Sequence, residues 1–77
     1  GNFQEAEALY LRVISEYGEG IQGDDAQFRL GLLYEEQMKD NTKAMAAYQE
    51  MLVKYPGSVF SVEARKRFRL LRGDMVN

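Results

Sequence analysis

The chain is short, mixed in composition and nearly neutral. Its 77 residues are 45% hydrophobic, 29% charged and 12% aromatic, which is typical of a folded globular domain and too apolar for a disordered segment. The absence of cysteine and histidine excludes disulfide scaffolds, thiolate metal sites and the usual general base near neutral pH. No apolar run approaches the roughly 20 residues of a membrane-spanning helix. These counts leave one small domain with a thin core.

The net charge of −2 conceals an uneven distribution of charges along the chain. Residues 1–38 hold eight acidic residues against two arginines, whereas residues 39–77 hold eight basic residues against four acidic ones. The chain opens with Gly1 instead of Met and starts directly on a helical pattern. This start favours a segment of a longer protein, and we expect it to be part of a longer repeat array.

Two stretches with nearly the same pattern predict two matching helices. The sequence AEALYLRVISEY, residues 6–17, returns as AMAAYQEMLVKY, residues 44–55, at a shift of 38 residues. In both stretches small and apolar residues recur at i, i+3, i+4 and i+7, which places them on one face of a helix. The later helix is predicted to begin after Asp40 or Asn41 and to end before Pro56, whose ring cannot enter a helix interior.

Capping residues define the ends of the first helix. Asn2 followed three residues later by Glu5 resembles a capping box, in which a side chain at the helix start accepts a backbone N–H. Gly18 and Gly20 supply a stop, because glycine readily takes the conformations that end a helix. The first helix is therefore predicted over residues 3–17.

Similar signals bound the second and fourth helices. Asp24, with Gln27 three residues later, marks a helix start, and an apolar stripe continues to about Met38. The fourth helix is predicted to open within residues 58–61 and to stop at Gly73. The 38-residue shift holds for this pair of helices as well: it places Ala64 on Ala26, Phe68 on Leu30 and Glu63 on Asp25.

A helix pair that recurs at a fixed period is typical of an α-solenoid. Periods of roughly 20–50 residues arise because one helical hairpin cannot bury its apolar stripe alone and stacks on a neighbour. We therefore predict an all-α fold with four helices, arranged as antiparallel pairs stacked in an α-solenoid. A plain four-helix bundle is the alternative, since it needs four apolar stripes but no internal repeat.

Residues 26–56 carry a spaced set of small and aromatic residues in the stretch AQFRLGLLYEEQMKDNTKAMAAYQEMLVKYP. Its members are Leu30, Gly31, Tyr34, Ala44, Tyr48 and Pro56. This set resembles the tetratricopeptide repeat family. The resemblance implies that Gly31 and Ala44 lie where the two helices of a repeat cross closely, with aromatic rings filling the space beside them.

The resemblance also implies how the chain divides into repeats. Residues 3–17 match the second helix of one repeat, residues 24–55 match a complete repeat, and residues 58–72 match the first helix of the next. The whole chain, residues 1–77, is then a single repeat fragment with both ends of the stack open. We expect apolar end faces around Leu11 and on the far side of the fourth helix, and such faces favour self-association.

Two connecting segments are longer than the usual spacing of the family. The turn KDNTK is about one residue longer, and the link YPGSVFSVEA before the fourth helix is extended. These longer forms are similar to a bacterial cell-envelope subgroup, typified by the TolA-binding protein and the lipoprotein of the outer-membrane assembly machine. This similarity favours the periplasm or cell envelope over the cytoplasm.

Side chains opposite the core stripe form the candidate partner site. Steps of about 100° per residue place one group on the outer face of the second helix and a matching group on the fourth. In the resembled family such first-helix positions line a concave groove that receives a peptide. The alternative is that the apolar members only seal one first helix against the next. The predicted partner-binding residues are Phe28, Leu32, Glu35, Glu36, Lys66, Arg67 and Leu70.

Enzymatic and metal-binding interpretations have little support in the sequence. Asp24 and Asp25 follow several glycines but lack the alternating oxygen ligands and distal Glu of a calcium loop. Glu35 and Glu36 diverge by about 100° on a helix and have no nucleophile or metal ligand beside them. We therefore predict a non-catalytic protein with no small-molecule substrate, no metal and no cofactor.

The basic fourth helix raises nucleic acid or an anionic membrane as a rival partner. The chain is acidic overall, however, and no solvent-facing aromatic residues alternate with the bases to stack on unpaired nucleotides. We predict instead a protein-interaction scaffold that binds a protein or peptide. A purely structural repeat segment or a self-association module is the alternative. The basic residues are Arg65, Lys66, Arg67, Arg69 and Arg72.

Overall fold

Four helices follow one another in the computed structural model, which describes residues 2–18 and 21–73 apart from the side chains of residues 21 and 22. The part of the chain so described contains no strand, which confirms the predicted all-α class. The predicted role of Gly20 falls outside the described residues. The helices are α1 (Phe3–Tyr17), α2 (Ile21–Leu32), α3 (Asn41–Lys54) and α4 (Ser61–Arg72), and a π-helical turn (Leu33–Gln37) extends α2.

The ends of α1 and α3 confirm the boundaries that the capping residues predict. The Asn2 side chain accepts a hydrogen bond from the Glu5 backbone N–H at 3.1 Å. Asp40 does the same for α3, because its carboxylate accepts from the Lys43 N–H at 3.0 Å. Each bond satisfies one of the amide groups that have no partner inside the first turn of a helix.

The end of α4 also follows the prediction. Gly73 has a φ of 93°, in the left-handed region, and its N–H donates to the carbonyls of Arg69 and Leu70. Glycine reaches this conformation without the steric cost that a Cβ atom imposes.

The start of α2 differs from the prediction. The helix begins at Ile21, three residues before Asp24, so Asp24 is not its N-cap. The Asp24 carboxylate instead accepts a hydrogen bond from the Ser58 hydroxyl at 2.5 Å. An acidic residue is favoured both at an N-cap and in the first turn, where it faces the positive end of the helix dipole, so the sequence signal does not separate the two positions.

The last turn of the second helix is wider than the predicted regular helix. The Met38 N–H donates to the Leu33 carbonyl at 2.9 Å, a spacing of five residues that defines a π turn. The chain then leaves the helix through Lys39, whose φ is 56°. The widened turn keeps Leu33 and Tyr34 buried while it carries two glutamates toward the surface.

The helices form an open row of antiparallel neighbours. Each helix packs on the next along the chain, and no comparable packing joins α1 to α4 within residues 2–18 and 21–73. The Cα atoms extend over 40 × 31 × 14 Å, which is the shape of a thin slab. A closed four-helix bundle needs its outer helices in contact, so this arrangement rejects the bundle alternative and agrees with stacked helical hairpins.

The core lies between α2, α3 and α4. The side chains of Tyr48, Met51 and Ala64 are completely buried, whereas α1 contributes no buried residue. Ala44 is fully buried and Gly31 is buried, as the predicted close crossing requires. The backbone of Gly31 lies against the Tyr48 ring so tightly that a Cβ atom there would fall 2.7 Å from the ring atom Cδ1.

Replacing Gly31 by Ala should destabilise the fold by about 1–2 kcal/mol. A methyl group would overlap the buried Tyr48 ring, and this overpacking should exceed the gain of about 1 kcal/mol in helix propensity. Urea denaturation of both variants measures the change. Gly57→Ala is the matched control, because nothing lies within 4 Å of its Cβ position. A Gly31→Ala chain as stable as the parent would contradict the close crossing.

Candidate functional site

Phe28, a predicted partner contact, lies in the core. Only 8% of its surface is exposed, and its ring stacks on Phe60 with centroids 5.1 Å apart and an angle of 12° between the planes. A second ring, that of Tyr48, lies 6.1 Å away. Truncating such a buried ring typically costs about 3–5 kcal/mol. Phe28 therefore packs the second helix against the segment that leads into α4.

Glu35 and Arg67, two further predicted contacts, bond to each other. The Glu35 carboxylate accepts from the Tyr48 hydroxyl at 2.7 Å and from Arg67 Nη1 at 3.1 Å. The same guanidinium donates to Glu36 at 3.3 Å and to Glu63 at 2.9 Å. One arginine on α4 thereby joins the end of the second helix to the tyrosine of α3. We call these five residues the Arg67 cluster.

Burial and bonding keep Tyr48 and Arg67 each in one protonation state near neutral pH. Burial raises the pKa of the Tyr48 hydroxyl first, and the hydrogen bond to Glu35 raises it further. Burial lowers the pKa of Arg67, but its bonds to Glu35 and Glu63 raise it by more, so the net pKa is raised. Tyr48 therefore stays a neutral donor and Arg67 stays a cation.

A second tyrosine ties α1 to the rest of the row. The Tyr34 hydroxyl donates to Glu7 at 2.7 Å, and burial followed by this bond raises the pKa of Tyr34. Lys43 of α3 lies 3.8 Å from the same carboxylate. Because α1 has no buried residue, these polar contacts and its half-buried apolar side chains hold it in place.

The remaining predicted contacts lie at or near the surface. Glu36 and Lys66 are exposed, and Leu70 is 49% exposed on α4. Leu32 is half-buried and lines a depression of about 170 Å³ with Tyr10, on the side of α2 that faces α1. The structure thus brings Glu35, Glu36 and Arg67 together, and it directs Leu32 toward α1.

A groove lies on the face of the second helix opposite the predicted site. It has a volume of about 460 Å³ and runs between α1 and α3 over the second helix. Leu11 is 46% exposed, as the prediction of an apolar face requires, but it lines this groove instead of an outer end face. In the sequence, the signal for this groove is Leu11, an apolar residue that lies outside the repeating apolar stripe of α1. Its apolar lining includes Leu11, Ile14, Leu30, Ala46 and Ala47.

Two polar residues, Gln27 and Glu63, make contacts in this region but are not among the predicted partner-binding residues. Gln27 is buried, and its Nε2 donates to the Ala47 carbonyl at 2.9 Å beneath the groove. Glu63 completes the Arg67 cluster from one helical turn before the arginine. The 38-residue repeat indicates the role of Glu63. The shift places Glu63 on Asp25, and each of these acids is followed four residues later by an arginine. Gln27 carries no such signal, since a capping role explains it equally well.

Across residues 2–18 and 21–73, no three acidic side chains are grouped closely enough to hold a metal ion. Among the described helices, none combines the length and apolarity that crossing a membrane requires.

The fold and the close crossing define a helical-hairpin repeat. A family model described as tetratricopeptide repeat matches residues 25–58, so this stretch of the chain is similar to the repeats of that family. Repeats of this family are typically non-catalytic and serve generally in protein–protein interaction. No curated protein and no solved structure matches the chain.

Alkaline unfolding tests the buried tyrosine bonds. Since the pKa values of Tyr34 and Tyr48 are raised on folding, their stabilisation is complete below the unfolded pKa of about 10 and is lost as pH rises above it. The free energy of unfolding should fall by up to about 1.4 kcal/mol per pH unit for each group. Urea denaturation between about pH 9 and pH 11 measures the slope.

Phe substitutions supply the comparison for this slope. Replacing Tyr34 and Tyr48 together by Phe should flatten it, because neither residue can then lose a proton. Replacing the exposed Tyr17 by Phe should leave it as in the parent. An unchanged slope in the double variant would show that these hydroxyls are not held by Glu7 and Glu35.

Proposed function

We propose that the chain is a non-catalytic scaffold that binds a protein or peptide through exposed side chains of α2, its π turn and α4. The observation that carries the proposal is the Arg67 cluster, in which Arg67 of α4 bonds to Glu35 and Glu36 of the π turn at 3.1 and 3.3 Å. Glu36, Lys66 and Leu70 remain exposed on the same two elements. They supply one acidic, one basic and one apolar contact for a partner.

In this proposal the members of the predicted site divide into two roles. Glu35 and Arg67 position the surface, because their charges are already satisfied by each other. Glu36 is shared, since its carboxylate meets Arg67 at 3.3 Å while its side chain remains half exposed. Apolar contact comes from Leu70, and the exposed charges orient the partner and select its charge.

The repeat assignment and the cell-envelope subgroup belong to the same proposal. The family match over residues 25–58 supports one complete repeat, flanked by the second helix of one repeat and the first helix of another. The extended link packs on the core, since the Tyr55 hydroxyl donates to the Gly18 carbonyl at 2.5 Å and Ser58 bonds to Asp24. A link with defined packing supports the longer repeat form, and with it a periplasmic or envelope location.

A structural or self-associating segment is the second candidate function. The stacking of Phe28 on Phe60 favours it, because the ring predicted to meet a partner closes the stack instead. Exposed apolar side chains on both outer helices, Leu9 on α1 and Val62 on α4, provide surfaces for further repeats or copies. A polyanion partner has less support, since Arg67 already meets three carboxylates.

Peptides selected from a random library against the parent chain test the scaffold function. The shifts of amide NMR signals on binding should cluster around Glu36, Lys66 and Leu70. Leu70→Ser should weaken binding at least about tenfold by removing the apolar contact. Val53→Ser is the matched control, because Val53 is 68% exposed on α3. Shifts confined to the groove between α1 and α3, or equal binding by Leu70→Ser, would contradict the proposal.

A further inference from the structure

The second helix and its π turn receive α3, and the link that follows α3, through five residues. Two of them bond to polar groups of α3, and a third lies with its backbone against the buried Tyr48 ring. The other two hold the link, one through a bond to Ser58 and one through a stack on Phe60. These contacts define what a helix needs in order to receive the next unit of the stack. The five residues are Asp24, Gln27, Phe28, Gly31 and Glu35.

The equivalent positions of α4 lack the groups that make these contacts. Val62 and Gly73 have no carboxylate, and Lys66 has no ring to stack on a phenylalanine. Arg65 keeps N–H donors but adds a charge, and Arg69 places a long side chain where the close crossing requires glycine. The outer face of α4 is thus not a copy of the face that receives α3. In the order of the residues above, the shift of 38 residues gives Val62, Arg65, Lys66, Arg69 and Gly73.

The inner face of α4, in contrast, repeats that of the second helix. Ala64 is completely buried where α4 packs on α3, and Phe68 and Leu71 pack against the same core. Each equivalent residue of the second helix lines a depression with side chains of α1, the helix before it. α4 therefore keeps the residues that pack on a preceding helix and lacks those that receive a following one. The equivalents in the second helix are Ala26, Leu30 and Leu33.

Arg69 rules out the close crossing that α3 makes with the second helix. Even a Cβ atom at Gly31 would fall 2.7 Å from Cδ1 of the Tyr48 ring, so an arginine at the equivalent position occupies the space that such a ring needs. Arg65, Lys66 and Arg69 are all exposed, and none of the ion pairs in the described part of the chain includes them. Covering these cations with the apolar side chains that α3 buries would leave them without a counter-charge, which is strongly unfavourable.

We infer that α4 ends the repeat stack: its outer face is a cap that stays in solvent and excludes a following helix of the α3 kind. The outermost repeat of a solenoid needs a polar outer face to stay soluble, and Arg65, Lys66 and Arg69 supply it. The sequence predicted an apolar end face on the far side of this helix, and that prediction is wrong at these three positions. Val62 is exposed at the start of α4, but a single apolar side chain does not make a stacking surface.

A capped α4 places the proposed partner surface at one end of the stack. Lys66 and Leu70 then remain accessible, as that surface requires. The cap does not depend on the partner function, because it concerns the packing of one helix on another. It is therefore tested through stability rather than through binding.

Two extended chains of equal length test whether α4 can receive another repeat. In the first, residues 35–77 are attached after residue 72, so that a copy of α4 lies inside the array. In the second, residues 21–77 are attached after residue 58, so that a copy of the second helix occupies the same place. The two chains differ only in this internal segment, which is residues 59–72 in the first and residues 21–34 in the second.

Urea denaturation of the two chains gives the m value, which scales with the surface exposed when the cooperative unit unfolds. With the second helix inside, the m value should rise by roughly half over that of the parent, because a further helix pair joins the unit. With α4 inside, it should stay at the parent value, since the added pair does not stack. An equal rise in both chains would overturn the inference. So would the absence of a rise in both, because the contacts of the second helix would then not build a stack.

Restoring three residues of the second helix in the internal copy of α4 supplies a further test. Arg65→Gln, Lys66→Phe and Arg69→Gly together should bring the m value of the first chain up to that of the second. The same three substitutions in the terminal copy are the matched control and should leave the m value unchanged, because no helix stacks on that copy. An internal copy that gains nothing from them would show that these residues do not exclude the following helix.

Discussion

The contact between the Tyr48 ring and the backbone of Gly31 sets the distance between the second helix and α3, which lie in the middle of the row. Two helices approach this closely only where one of them has no side chain, and the completely buried ring then fills the crossing point. The ring also carries its hydroxyl to Glu35, which lies at the rim of the core. The position of Glu35, and through it that of Arg67, therefore follows from the helix crossing.

The apolar core and the Arg67 cluster contribute in different ways. Burying large side chains such as Tyr48 and Met51 contributes about 1.5–3 kcal/mol each, which outweighs the roughly 0–1 kcal/mol of a partly exposed ion pair. The cluster instead fixes the direction of α4, because Glu63 of the same helix orients the Arg67 guanidinium and two carboxylates of the π turn, Glu35 and Glu36, then meet it. Stability comes from the core, and the relative placement of the surface side chains comes from the cluster.

The sequence predicted the features that depend on neighbouring residues and missed those that depend on distant ones. The bounds of α1 and α3 and the crossing at Gly31 follow from caps, stripes and a repeated motif. The early start of α2 and its π turn do not follow from local patterns, and both regions meet distant residues: Asp24 bonds to Ser58 of the link, and the π turn packs on α3. Local sequence signals are thus sufficient to predict the number and order of the helices, but not the position of every helix end.

The candidate site shows the same division. The helical periodicity placed Glu35 and Glu36 on one face of the second helix and Arg67 on the matching face of α4. It gave no sign that these side chains bond to one another. Helical periodicity gives the direction in which a side chain leaves the axis of its own helix. It contains no information on which residues of a neighbouring helix that side chain meets. That is why Phe28 was assigned to a groove, although the ring of Phe60 covers it. The internal repeat contains part of this information, since the bond from Arg67 to Glu63 repeats the bond from Arg29 to Asp25.

A double-mutant cycle on the free energy of unfolding tests most directly whether the buried tyrosine and the surface arginine form one unit. The cycle combines Tyr48→Phe with Arg67→Gln, and both residues bond to the same oxygen of Glu35. A coupling energy of at least about 0.5 kcal/mol is expected, with near-additivity for the reference pair Tyr34→Phe and Arg67→Gln. Additivity within about 0.3 kcal/mol for the Tyr48 pair would contradict the account.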